Sequence, residues 1–168
     1  MNYHNITTDD MLNGSGLRVC LWTSGCNHYC DGCQNPQTWD PNSGIKFDTS
    51  AKEELFEELD KDYISGITFT GGDPLYEGNL PTIYKICSAV RRRYGNKKTI
   101  WLYTGYDFET CVDMFYDIIH LCDVVVDGKY VKEQSDVNYP WAGSTNQRII
   151  DVQQSLKSGE PVLWSSSK

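Results

Sequence analysis

Three cysteines, Cys26, Cys30 and Cys33, fall within Gly25-Cys26-Asn27-His28-Tyr29-Cys30-Asp31-Gly32-Cys33. The C-x3-C-x2-C spacing sets three thiols on one short loop, close enough to hold a single inorganic unit. An iron–sulfur cluster normally takes four thiolates. Three with no fourth in register point to a cluster that leaves one iron open to a ligand from outside the chain. Zinc is the competing occupant, with His28 as a fourth ligand. That histidine lies two residues from each flanking cysteine, which is cramped, and zinc ligand pairs usually come from two separated knuckles. A disulfide framework fits poorly, because seven cysteines is an odd count and the chain is long. Cys20, Cys87, Cys111 and Cys122 stand singly in apolar patterns and read as core thiols.

Few other groups could do chemistry. His4, His28 and His120 offer no paired spacing for a histidine metal site. No Ser–His–acid grouping and no phosphate-loop pattern is present, so hydrolase and nucleotide-triphosphatase readings have little support. The net charge of −8 argues against a nucleic-acid footprint, which needs a basic face. The one basic cluster, Arg91-Arg92-Arg93 with Lys97-Lys98, falls at a helix end, where solvated cations suit the dipole. No apolar run approaches a membrane span. The first ten residues are polar and acidic and make no export signal. Reduced cysteines then fit a cytoplasmic protein.

The elements that must position the cysteines can be read from hydrophobic period. Leu17 to Thr23 is a buried strand, and the cysteine loop follows it directly. Ser50 is the expected N-cap of a helix carrying Leu55, Phe56 and Leu59. Ile64 to Thr70 is a second strand, running into Gly71-Gly72-Asp73-Pro74. Asn79 or Pro81 opens a helix through Ile83, Ile86, Val90 and Tyr94, ended by Gly95-Asn96. Thr99 to Thr104 is a third strand. Asp107 caps a helix with Val112, Phe115, Ile118 and Ile119. Cys122 to Val126 is a fourth strand, followed by Asp127-Gly128-Lys129. One or two more strands are expected near Arg148 to Val152 and Pro161 to Trp164. Patterning weakens from Tyr130 onward, and Ser165 to Lys168 reads as frayed.

Strands alternating with helices imply βαβ units and parallel strands. In such sheets ligands sit at the carboxyl ends of the strands. The cysteine, Gly-Gly-Asp, Thr-Gly and Asp-Gly-Lys turns all fall on that edge. The chain's 168 residues suit one domain, with a core over about 13–150. A closed eight-fold barrel takes about 250 residues. The expected fold is therefore α/β: a single-domain, incomplete (β/α) barrel, open on one side.

The cysteine motif with a Gly-Gly-acid turn after the next strand resembles the radical S-adenosylmethionine superfamily. Four further runs are similar to one family within it, the activating proteins of anaerobic ribonucleoside-triphosphate reductase. These are Thr70-Gly71-Gly72-Asp73-Pro74-Leu75, Trp101-Leu102-Tyr103-Thr104-Gly105-Tyr106, Val126-Asp127-Gly128-Lys129 and Gly143-Ser144-Thr145-Asn146-Gln147-Arg148. Gly32, where many superfamily members carry an aromatic residue, and Asp73, where many carry Glu, both match that family. Ser15 and Ala142 depart from it locally.

The resemblance implies a 4Fe-4S cluster on Cys26, Cys30 and Cys33, whose open iron takes the amino and carboxylate groups of S-adenosylmethionine. Reductive cleavage then yields a 5′-deoxyadenosyl radical, which makes a glycyl radical on the large subunit of the reductase. The electron would come from a flavodoxin-type donor. For cofactor binding, the resemblance implies that Gly71 and Gly72 admit close backbone approach and, with Asp73, receive the ammonium group. Backbone of Gly32 and Gln34 is expected near the adenine, and Tyr103, Thr104 and Tyr106 along the same pocket. Lys129 is expected to pair with the methionine carboxylate, and Asp127 to orient Lys129 or contact the ribose or amine. Asn146 and Arg148 are expected at active-site closure or partner docking. The alternatives are another glycyl-radical activase, a small-molecule radical enzyme, or a non-catalytic metal-binding module.

Overall fold

The computed structural model describes residues 1–165; of the expected frayed end, Ser165 to Lys168, residues 166–168 lie outside them. Seven strands form one mixed sheet in the order β3-β1-β2-β4-β5-β6-β7. They are β1 (Asn2–Asp10), β2 (Arg18–Thr23), β3 (Ile45–Lys46), β4 (Gly66–Gly71), β5 (Thr99–Tyr103), β6 (Val124–Asp127) and β7 (Arg148–Asp151). The helices are α1 (Thr49–Leu59), α2 (Leu80–Tyr94), α3 (Phe108–Ile119) and α4 (Val152–Ser158).

The central strands β2, β4, β5 and β6 are parallel, as the alternation with helices requires. The flanking strands β1, β3 and β7 pair antiparallel, so the all-parallel expectation holds only for the centre. The sheet does not close on itself. β1 was not foreseen, because polarity hides it: only Tyr3 and Ile6 of its nine residues are buried, and shifts of register at two places break the alternation. The first helix is capped by Asp48, whose side chain accepts from Ala51 N, rather than by Ser50. Asp107 caps α3 as expected, accepting from Thr110 N. α4 falls in the weakly patterned tail, and the strand expected near 161–164 is a single bridge between Ile150 and Leu163. The basic cluster is less solvated than expected, since Arg91 pairs with Asp123 at 2.7 Å and Arg93 with Asp60.

Side chains alternate between the two faces of each strand. Val19, Leu21, Ile67, Phe69, Ile100, Leu102 and Val125 point to one face, and residues from all four helices pack on them as the main core. The parallel register aligns Cys20 with Thr68 and Thr68 with Trp101 on the opposite face. There Trp101, Val124 and Val126 gather Tyr103, Trp141, Ile149 and Trp164 into a smaller cluster. Three tryptophans, 101, 141 and 164, meet edge to face with centroids 5.1–5.7 Å apart, the arrangement that their ring quadrupoles favour.

Arg18 closes the amino end of this second face. It is fully buried, and among the described residues no carboxylate pairs with it. Its guanidinium donates to Thr68 Oγ1 (2.7 Å), Thr99 Oγ1 (2.9 Å) and the carbonyls of Ser15, Ile67 and Thr99. The charge also lies over the Trp101 ring, 5.3 Å from its centroid. Burial lowers its pKa to about 10, still well above neutrality. Arg18 is therefore a charged tie between β2, β4 and β5.

Cys20, Cys87, Cys111 and Cys122 are fully buried core thiols, as their settings in the sequence suggest. Cys26 is buried in its loop, whereas Cys30 and Cys33 are half-buried.

Two outcomes follow from this packing. Arg18→Ala strands several buried acceptors and should lower unfolding free energy by roughly 3 kcal/mol or more. Urea titration with an unchanged m-value measures it, and a loss below about 1 kcal/mol contradicts the tie. Anaerobic alkylation of the metal-free protein, followed by peptide mass spectrometry, should label Cys30 and Cys33 first. Cys26 should follow, and the four core thiols should react only on unfolding. Labelling of Cys87 or Cys122 as fast as Cys30 contradicts the assignment.

Candidate functional site

The carboxyl ends of β2, β4 and β5 meet at the cysteine loop. Ser24-Gly25-Cys26 leaves β2 and is pinned at once: Gly25 N donates to Thr38 O at 2.7 Å and Cys26 N to Trp39 O at 3.1 Å. A short 3-10 turn, Pro36–Thr38, thus holds the loop from outside. From β4, Gly72 N donates to Thr23 O and Asp73 N to Gly25 O, both at 2.8 Å. This approach explains the glycine pair. A Cβ on Gly72 would sit 2.5 Å from Gly25 O, and one on Gly71, whose φ is +99°, 2.8 Å from Thr23 N. The closeness required is to the cysteine loop's own backbone, a need the sequence did not reveal.

The three thiols face one cavity of about 550 Å³, which Cys26, Cys30, Cys33, Gln34, Gly71, Gly72, Asp73, Tyr103 and Thr104 all help to line. Three other expected site residues are placed differently. Gly32 turns outward, and the space beside its Cα is filled by the stem of Lys132. Asp127 is buried but bonds Phe108 N at 2.8 Å and Arg148 Nη2 at 2.5 Å. Among the described residues no hydrogen bond or ion pair links it to Lys129. Gly128, with φ +92°, separates the buried Asp127 from the exposed Lys129. Lys129 is exposed and outside the cavity lining.

Arg148 is likewise a tie rather than an open arm. It bridges Asp127 of β6 and Glu109 of α3, and its pKa is raised first by Asp127 and then by Glu109. Asn146 Nδ2 donates to Lys129 O at 2.9 Å, closing the turn after β6. Tyr106 does not line the cavity; its ring meets His28 edge-on at 4.6 Å.

Asp73 holds the site together. It is 2% exposed. Its Oδ1 accepts from Leu75 N at 2.8 Å, and Oδ2 from Thr104 Oγ1 at 2.8 Å and Gly105 N at 3.0 Å. His28 Nε2 stands 2.6 Å from the same Oδ2 and donates in the tautomer protonated there. The Asp73 carbonyl and Ser24 O are in turn bound by the buried amide of Asn79, at 3.1 and 2.8 Å. Asp73 was expected to receive a ligand's ammonium group, yet four protein donors already occupy its carboxylate.

The sequence also left several cavity residues unmarked. Trp22 and the loop residues Tyr130, Tyr139 and Trp141 give the cavity aromatic walls, and Met11 and Leu12 stand exposed at its edge. Trp22 falls within the strand expected over Leu17 to Thr23, without being marked as a cavity residue. The tail aromatics lie in irregular backbone, where no period marks them.

The donor set fits an iron–sulfur cluster better than zinc. Among the described residues no three His, Cys, Asp or Glu side chains converge on a single-ion site. His28, the fourth ligand a zinc site would need, is bound to Asp73. Burial pushes the Cys26 thiol up to about 11, with the charges of Asp73 and Cys30 adding and the amides of His28 and Tyr29 opposing. Such a thiol stays protonated near neutrality until a cation replaces the proton. Cys33 Sγ accepts from Asn35 N at 3.4 Å. Soft sulfur donors, one of them accepting from a backbone N–H, suit a cluster.

The sequence profile of the family described as 4Fe-4S single cluster domain matches residues 12–150. An anaerobic ribonucleoside-triphosphate reductase-activating protein of Enterobacteria phage T4 is 43% identical over 149 residues, covering 89% of this chain and 93% of the relative. Proteins of the same description from Escherichia coli K12 and Vibrio cholerae are 38% and 36% identical over 151 residues, covering 89% of this chain and 97% of each relative. A match at this identity over most of both chains, with the three thiols gathered at the carboxyl edge of the sheet, makes this chain a member of the anaerobic ribonucleoside-triphosphate reductase-activating protein family.

Proposed function

We propose that this chain activates anaerobic ribonucleotide reductase by forming a glycyl radical on its large subunit. The observation that carries the proposal is the grouping of three free thiols on one wall of a cavity whose other walls are the Gly-Gly turn, the end of β5 and aromatic side chains. A 4Fe-4S cluster held by Cys26, Cys30 and Cys33, with S-adenosylmethionine, supplies reductive cleavage of the S–C5′ bond and a 5′-deoxyadenosyl radical as hydrogen acceptor.

The chain's own residues bind, orient and exclude. Backbone carbonyls of Gly71 and Gly72 receive the ammonium group. Gln34, Tyr103 and Thr104 border the nucleoside. Tyr103 is fixed for this by donating to Trp141 O at 2.7 Å, and its burial raises its pKa, keeping the phenol neutral. Trp22 and Trp141 keep water from the reactive centre. Lys129 follows cavity-lining Gly128, and its long stem lets the ammonium reach a carboxylate at the rim. The sheet serves as an incomplete barrel whose open side admits a loop of another protein. The electron donor is of flavodoxin type and the setting cytoplasmic. No helix of the described residues is long and apolar enough to cross a membrane.

A radical of this kind cannot diffuse, so its hydrogen donor must be held in near-attack geometry. The test uses reductase with deuterated glycine, incubated anaerobically with the reduced protein and S-adenosylmethionine. Deuterium should appear in 5′-deoxyadenosine, with a glycyl doublet in the electron paramagnetic resonance spectrum. Cofactor cleavage without label transfer or protein radical overturns the reductase as substrate and leaves a small-molecule radical reaction in its place.

A further inference from the structure

Resting on the cluster reading above, we infer that Asp73 is a positioning residue, which acts on the cluster through His28 rather than by contact with S-adenosylmethionine. Three observations carry the inference. The first is occupancy. The Asp73 carboxylate is 2% exposed and already accepts from Leu75, Thr104, Gly105 and His28. Three of these donors crowd Oδ2, so an ammonium group from a ligand could reach that oxygen only by displacing a buried partner.

The second is how tightly His28 is held. Its side chain is 9% exposed. A Cβ on Gly105 would lie 2.4 Å from the imidazole Cδ2, so position 105 admits the ring only as glycine. Tyr106 closes the other approach, edge-on at 4.6 Å. Carboxylate, glycine and tyrosine leave the ring one place to sit.

The third is where His28 stands in the chain. It lies midway between Cys26 and Cys30, in the loop whose start is already tied to the same aspartate, since Gly25 O accepts from Asp73 N at 2.8 Å. Tyr29 occupies the left-handed region at φ +48°, a conformation that needs support from its surroundings. Fixing the His28 ring fixes the backbone between Cys26 and Cys30 and with it the placement of both thiols. Asp73 thereby couples the cysteine loop to β4 and to the end of β5. The arrangement is the thiolate counterpart of a carboxylate that orients a metal-bound histidine.

The test is a double-mutant cycle on Asp73→Asn and His28→Phe, with His28→Gln as the conservative variant. Each protein is reconstituted with iron and sulfide. Iron loss to a chelator, cofactor affinity by titration and the melting temperature of the metal-free form are then measured. Each single variant should lose iron about tenfold faster or more. The double variant should be no worse than the worse single, because both changes break one contact. Cofactor affinity should fall to a similar degree in both single variants. His28→Gln, which can still donate to Asp73, should recover most of the retention.

A different pattern overturns the inference. If Asp73→Asn alone weakens cofactor binding and iron retention is unchanged in every variant, Asp73 is a cofactor ligand. Additive losses mean two independent roles. Should Asp73→Asn fail to fold, the comparison of Phe with Gln at position 28 decides the matter, and equal retention in the two rejects it. Failure of the wild-type protein to hold a cluster would instead reject the function proposed above.

Discussion

The site depends on one buried carboxylate. Asp73 gathers donors from its own turn, from the cysteine loop and from the end of β5. A buried carboxylate without such partners is strongly unfavourable. The three segments therefore have to converge if Asp73 is to be buried at all. Parallel strands bring their carboxyl ends to one edge. The shared partner makes that edge a single pocket wall rather than a row of separate loops. Gly72 and Gly105 follow from the same convergence, since a side chain at either would collide with what Asp73 draws in.

The two faces of the sheet divide the remaining work. Helices cover one face with the main core. The other holds Arg18 at its amino end, the tryptophan cluster along its middle and the thiol-lined cavity at its carboxyl end. Arg18 has only neutral acceptors. Its removal is costly, because the buried acceptors it serves would be left without donors. It fixes the relative height of β2, β4 and β5 and so the level at which their ends present the cysteine, glycine and threonine turns. Asp127 and Arg148 do the same at the opposite side, fastening β6 to β7 and α3.

What could be read from the sequence was whatever period or spacing encodes. The four parallel strands are short apolar runs between turn residues, and all four were visible. So were the cysteine loop, the Gly-Gly-Asp turn and the cap at Asp107. β1 was hidden, because its outer positions are polar and its register shifts. Asp127 meets Phe108 N and Arg148, and Lys129 is exposed beyond Gly128, contacts that spacing cannot convey. His28 looked like a possible metal ligand. Its true partner is 45 residues away, and no local pattern reports a contact of that length. The aromatic walls contributed by Tyr130, Tyr139 and Trp141 lie in irregular backbone that leaves no periodic trace.

The central claim is that three thiols, and only those three, hold an iron–sulfur cluster with one iron left open. Anaerobic reconstitution followed by iron, sulfide and zinc analysis tests it most directly. The wild-type protein should retain about four irons and four sulfides per chain. Replacing Cys26, Cys30 or Cys33 by Ala should abolish the intact cluster, and replacing Cys87 or Cys111 should leave it. Stoichiometric zinc without the brown absorption of an iron–sulfur centre would contradict the account.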